Sequence, residues 1–235
     1  DLGLFVSVAN NGTSRVMRSS DGITWATSSA AAANSWTSVA YGNGLYVAVS
    51  NNGANQVMTS PDAVTWTAQS ASASKTWQGI AYGNGLFVAV SYDGAVMTSP
   101  DGISWTSRTP AQANQWYGVT YGNGLFVAVS ENGSNQVMTS PDGITWTARN
   151  AASANLWRAV TYGNGLFVAV AFYPHDGACI MTSPDGITWT SVAESAGGDW
   201  WGVAYGNGKF VAVAQDGGGV AMLSTSGASD DMATT

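Results

Sequence analysis

Charge is what this sequence has least of. Only 9% of its 235 residues are Asp, Glu, Lys or Arg, where an ordinary soluble domain carries about a quarter. Fourteen acidic residues outnumber seven basic ones, for a net charge of -7. A chain of that sign offers no electrostatic footprint for nucleic acid and no attraction to an anionic membrane surface. Long apolar runs are missing too: nothing approaches the roughly 18 consecutive apolar residues of a membrane helix, so insertion by a helical span is excluded. The lone cysteine, Cys179, excludes an internal disulfide framework. No segment keeps a 3.6-residue apolar period, which excludes a helical solenoid. Asp1 opens the chain without a signal peptide, so the expectation is a mature or trimmed product.

What is present points elsewhere. Apolar residues make up 45% of the chain and tryptophan alone contributes 11, a composition that can fill a core and does not suit disorder. The wealth of Trp, Tyr, Asn and Thr beside so little lysine resembles secreted and cell-surface proteins, and that localisation is the expectation. One decapeptide, YGNGLFVAVS at 121–130, recurs in close copies along the whole chain. The Gly opening each copy of its second half falls at Gly3, Gly44, Gly85, Gly124, Gly165 and Gly208. Methionine keeps the same beat at Met17, Met58, Met97, Met138, Met181 and Met222. A period near 40 residues signals a repeat architecture.

Each unit resolves into four strands. WTSVAY and LYVAVS flank Asn43-Gly44, the dipeptide suited to a two-residue hairpin turn with two positive φ angles. A Gly-bearing turn leads to QVMTS, and Pro-Asp-Gly turns that strand into ITWT. In LFVAVS, Leu125, Val127 and Val129 point one way while Phe126, Ala128 and Ser130 point the other, so both faces of the sheet are covered. Four-stranded antiparallel sheets stacked face to face make an all-β fold, the β-propeller. The units run over about 1–30, 31–71, 72–110, 111–151, 152–194 and 195–235 of a single propeller domain. Second and third strands occur six times, which predicts six blades, the first lacking its own first strand. The terminal STSGASDDMATT aligns with SPDGITWT as a degraded fourth strand. Five blades with spare terminal strands is the alternative.

The SPDGITW hairpin resembles the Asp-box, S-x-D-x-G-x-x-W, of bacterial-neuraminidase-type repeats. Matching residues include Ser99, Asp101, Gly102 and Trp105, and Ser140, Asp142, Gly143 and Trp146; one residue between Asp and Gly is absent, and Ala63 replaces the glycine of the second unit. The resemblance implies a propeller in which Ser and Asp close the turn and the Trp packs beneath it. Sialidases, lectins and assembly factors share the motif, so it assigns no activity by itself.

Enzymatic chemistry finds few residues here. The resembling sialidases need three arginines on a carboxylate; Arg108 and Arg149 share a position after a fourth strand, but none of Arg15, Arg18, Arg108, Arg149 and Arg158 lies at the end of a first strand where a central triad would form. Glu131 and Glu194 lie in turns or linkers. The PDG aspartates sit one per blade, so turn formation is their expected role rather than paired acid–base work. His175, Asp176 and Cys179 share one enlarged turn but supply too few good ligands for zinc. No catalytic residue, metal site or cofactor is expected.

The tryptophans carry the binding hypothesis. Each fourth-strand Trp precedes a first-strand Trp by eleven residues: Trp25/Trp36, Trp66/Trp77, Trp105/Trp116, Trp146/Trp157 and Trp189/Trp200. Indoles can seal one blade onto the next, the role expected of the fourth-strand set. The first-strand set, Trp36, Trp77, Trp116, Trp157 and Trp200, is the candidate sugar platform, with Asn34, Asn114 and Asn155 two positions ahead to satisfy hydroxyls. The residue after each varies: Thr37, Gln78, Tyr117, Arg158 and Trp201. A non-catalytic, multivalent, lectin-like propeller binding glycans or glycosylated surfaces is the leading reading. A structural or adhesive surface module, self-associating in a larger assembly, is the other.

Overall fold

The computed structural model describes residues 3–172, 179–192, 199–215, 221–224 and 232–234. No helix occurs among them; every regular element is a strand. The first sheet has three strands, β1 (Phe5–Val8), β2 (Val16–Ser19) and β3 (Ala26–Ser28). Five four-stranded sheets follow. They are β4 (Trp36–Gly42), β5 (Leu45–Ser50), β6 (Val57–Ser60) and β7 (Thr67–Gln69); β8 (Trp77–Gly83), β9 (Leu86–Ser91), β10 (Val96–Ser99) and β11 (Thr106–Arg108); and β12 (Trp116–Gly122), β13 (Leu125–Ser130), β14 (Val137–Ser140) and β15 (Thr147–Arg149). Next come β16 (Leu156–Gly163), β17 (Leu166–Phe172), β18 (Ile180–Ser183) and β19 (Thr190–Val192), then β20 (Trp200–Gly206), β21 (Lys209–Ala214), β22 (Ala221–Ser224) and β23 (Met232–Thr234). All pairings join sequence neighbours antiparallel, an arrangement consistent with a β-propeller. The strand expected near the C-terminus is present, with Ser224 paired to Met232. The chain divides into two compact units, 1–109 and 110–235.

Local chemistry explains each hairpin. Gly42 pairs with Leu45 across Asn43-Gly44, whose φ angles of 50° and 74° give the two left-handed residues a tight hairpin needs. The glycine after each Tyr answers a different demand. A Cβ at Gly122 would lie 2.1 Å from the Tyr162 ring, and one at Gly42 would meet Tyr82 at the same distance. The tyrosine of one sheet thus lies on the backbone of the sheet before it, and only glycine leaves room.

The third-to-fourth strand turn is closed by its aspartate. Asp101 Oδ1 accepts the Ser99 hydroxyl at 2.9 Å and the backbone N–H groups of Ile103 and Ser104 at 2.8 and 2.7 Å. The Trp105 indole then donates to the Gly102 carbonyl at 3.1 Å. Asp62, Asp142 and Asp185 repeat the carboxylate pattern. The sheet β4–β7 shows what its Ala63 costs: the residue sits at φ 57°, and the Trp66 N–H finds no acceptor.

The core lies between sheets, not within them. In the first unit, Val47, Val49 and Val57 of one sheet pack against Trp77, Phe87, Ala89 and Met97 of the next. In the second unit, Val127, Val129 and Val137 meet Trp157, Phe167, Ala169 and Met181 in the same way. The alternation read from LFVAVS therefore assigns the faces correctly: valines face forward along the chain, and Phe and Ala face back.

The turn geometry fixes an acid response. Backbone N–H donors hold the Asp101 and Asp21 carboxyls down at about 2, and those of Asp62, Asp142 and Asp185 below the usual carboxylate range. A depressed folded-state pKa adds stability that is complete above the unfolded value of 3.8 and is lost as pH falls toward about 2. The melting temperature should hold from pH 7 to 5 and then drop through that window. The Asp101→Asn, Asp142→Asn double variant should start lower and lose less, which melts at pH 5 and pH 2.5 would check.

Candidate functional site

The five first-strand indoles do not face solvent. Trp36, Trp77, Trp116, Trp157 and Trp200 are 0–1% exposed; Trp77, Trp157 and Trp200 are seated on the valines of the preceding sheet and Trp36 on Val16. Their N–H groups are satisfied inside the protein: Trp116 donates to the Gln112 carbonyl at 3.1 Å and Trp157 to the Ser153 carbonyl at 3.0 Å. Asn34, Asn114 and Asn155 are buried as well. Asn114 Nδ2 donates to Ser130 Oγ and to the Asn135 carbonyl, and Asn34 does the same with Ser50 and Asn55. Asn155 Nδ2 donates to Ser153 Oγ. The expected sugar platforms are thereby corrected. An indole in this place buries more surface as a seal between sheets than it could offer a ligand, and the amides bind turns of their own chain.

The next residue in each unit behaves differently. The pairing of first and second strands slips between Trp36 and Ser38, Trp77 and Gly79, Trp116 and Gly118, Trp157 and Ala159, and Trp200 and Gly202. Thr37, Gln78, Tyr117, Arg158 and Trp201 are thus the extra residues of five β-bulges, and a bulge frees its side chain from the ladder and re-aims it. In the first unit the position is spent on structure: the Thr37 hydroxyl donates to the Val49 and Trp77 carbonyls at 3.1 and 2.9 Å.

In the second unit the bulges build a cluster. The Arg158 guanidinium lies 4.1 Å from the Tyr117 ring centroid and 4.3 Å from that of Trp201, with Phe172 at 4.8 Å. Phe172 meets Trp201 edge-on at 5.4 Å. Glu131 forms an ion pair with Arg158. Burial pushes the Glu131 carboxyl up, and the guanidinium opposes that shift. A planar cation clamped by aromatic faces and anchored by a carboxylate is held rigid. Trp201 nevertheless remains 46% exposed, so the cluster presents a fixed aromatic surface with a guanidinium against it.

Glu131 and Phe172 were not anticipated as site residues. They hold the same place in their units, at the end of the second strand or just past it, where the others carry Asn10, Asn51, Tyr92 and Gln215. Departure from the repeat at two fixed positions was the signal. Of the enlarged turn, His175 and Asp176 lie outside the described residues, as does Glu194, and Cys179 is buried. Among the described residues, no group of three His, Cys, Asp or Glu is placed to hold a metal ion.

A family model described as the DUF6242 beta propeller domain matches residues 20–156, more than half of the chain. The chain belongs to that family. No curated protein matches this DUF6242 propeller domain. Among solved structures it is similar to virginiamycin B lyase from Staphylococcus aureus, with 12% identity over 91% of this chain and 78% of that one and a TM-score of 0.74. It is also similar to YCF48 from Cyanidioschyzon merolae, with 14% identity, 85% and 70% coverage and a TM-score of 0.61. A chain of a nidogen–laminin complex gives 11% identity, 99% and 93% coverage and a TM-score of 0.65. At such identities the likeness is one of fold, held by an enzyme and by proteins of other kinds.

Replacing a seal should damage the fold and spare the cluster. Trp116→Ala in this DUF6242 domain should destabilise by about 3–5 kcal/mol, as loss of a buried indole does. Urea unfolding of the variant measures it; a loss below about 1 kcal/mol would return Trp116 to the list of surface residues.

Proposed function

We propose that this chain is a non-catalytic carbohydrate-binding module, secreted or displayed at a cell surface, in a propeller of six units. Its platform is the bulge cluster Tyr117, Arg158 and Trp201 in place of the five sealed indoles. The observation carrying this reading is the exposed Trp201 held against the Arg158 guanidinium at 4.3 Å. A sugar ring needs apolar surface for its C–H face and donors for its hydroxyls, and an indole beside a guanidinium offers both. A platform already fixed by stacking and by Glu131 loses little freedom on binding. The proposal keeps one site per chain, so avidity for a glycan-coated surface would come from several chains acting together.

A structural or adhesive module is the second reading, and the packing favours it at one point. Near-identity of the units follows from their shared contacts, Tyr on Gly and Trp on Val, without any demand for equivalent ligand sites.

A glycan-array screen of the purified chain tests the first reading. Trp201→Ala should weaken capture roughly five- to tenfold, a loss of about 1 kcal/mol or more, with the melting temperature within a few degrees of the parent. Absence of any bound glycan on the parent array would end the carbohydrate reading and leave the structural one.

A further inference from the structure

The guanidinium at the bulge cluster is already neutralised. Arg158 Nε and Glu131 Oε1 form an ion pair, and among the described residues neither atom has another partner. Both side chains are mostly covered, at 13% and 9% exposed. The backbone that carries Glu131 is pinned as well. Its N–H donates to the Gln115 carbonyl at 3.1 Å, and the adjacent Asn132 carboxamide accepts from the Gln115 N–H at 2.8 Å.

The surrounding charge has the sign of the carboxylate. Residues 110–235 hold three basic residues against nine acidic ones. The other two cations lie elsewhere: Arg149 donates to the Thr139 hydroxyl of β14 at 3.2 Å, and Lys209 pairs with Gly206 at the end of β20 remote from Trp200. Asp199, two residues before Trp201, adds an acid at the cluster's end of that strand. A carboxylated or sulfated ligand would therefore meet one cation, its charge cancelled by Glu131, in a field of negative sign.

The fold itself asks for no acid at this place, since the other sheets carry Asn10, Asn51, Tyr92, Phe172 and Gln215 there. The one carboxylate of that series falls against the one arginine among the bulge residues, as Phe172 falls against Trp201.

We infer that Glu131 sets the specificity of the platform: it admits uncharged sugars, hexoses and N-acetylhexosamines, and excludes those bearing a carboxylate or sulfate. The assignment rests on the carbohydrate reading above and narrows it. A neutral ring can lie on the exposed Trp201 face and accept from the terminal guanidinium nitrogens, which requires no net charge. An acidic sugar would bring a second anion beside the first, and repulsion of that kind separates a ligand from its competitor.

Capture of the purified chain on immobilised conjugates tests this, with glucose and N-acetylglucosamine termini set against glucuronic and sialic acid termini. The parent should take the neutral set and leave the acidic set near background. Glu131→Asn, which installs the residue that the sheet β4–β7 has at this place, should raise capture of the acidic set by about tenfold or more. That gain should fade as salt is added. Glu131→Gln replaces it if the first variant does not give the parent far-ultraviolet spectrum. A parent that takes acidic conjugates as well as or better than neutral ones, or a folded variant that gains nothing on them, would overturn the inference and leave the carbohydrate reading in place. A parent that takes neither kind ends both.

Discussion

An indole laid across two valines of the sheet before it is the contact on which this structure depends. Large aromatic side chains bury on the order of 150–250 Å² each, and no other residue here could cover so much of a neighbouring sheet. The rest follows from keeping that indole in place. Its N–H must be satisfied, so the linker bends to bring a carbonyl four residues upstream within 3.0–3.2 Å. The linker must therefore keep its length, which is why the tryptophans at its two ends stay eleven residues apart. Sheets drawn so close leave no room beside the tyrosine, and a glycine opposite it becomes obligatory.

Such packing separates framework from function. Residues repeated almost unchanged touch the adjacent sheet, and their uniformity is a matter of matching surfaces. The bulge residue is released from the ladder and takes no part in the packing of Trp on Val. Evolution can therefore place threonine, glutamine, tyrosine, arginine or tryptophan there without disturbing the fold. Unlike residues come together in the second unit because consecutive first strands, β12, β16 and β20, lie side by side and stack their bulges in one row.

Much of this was legible in the residues themselves. The 40-residue period, the Asn-Gly hairpins, the Ser–Asp turn and the two faces of LFVAVS are local signals, and the backbone obeys each of them. The terminal strand at 232–234 was legible too, through its alignment with the other fourth strands. The fate of the first-strand tryptophans was not. An indole two residues after an asparagine has the same composition whether it seals a core or holds a sugar, and only the position of the previous sheet decides. The bulge was hidden for a related reason. It is a property of register between two strands, and no single strand shows it. Ala63 is a smaller case: the sequence shows the substitution, but only the turn shows that the following indole loses its acceptor.

No sheet in this protein owns a core. Each apolar cluster is half the property of one sheet and half of its neighbour, so stability resides in couplings between sheets rather than in any one element. Repeat architectures of that kind draw their stability from nearest-neighbour couplings as well as from each member. The exchange of backbone hydrogens with solvent would accordingly be graded by burial, slowest in β5, β9, β13 and β17, which are buried on both faces, and faster in β1 and β21, which are not.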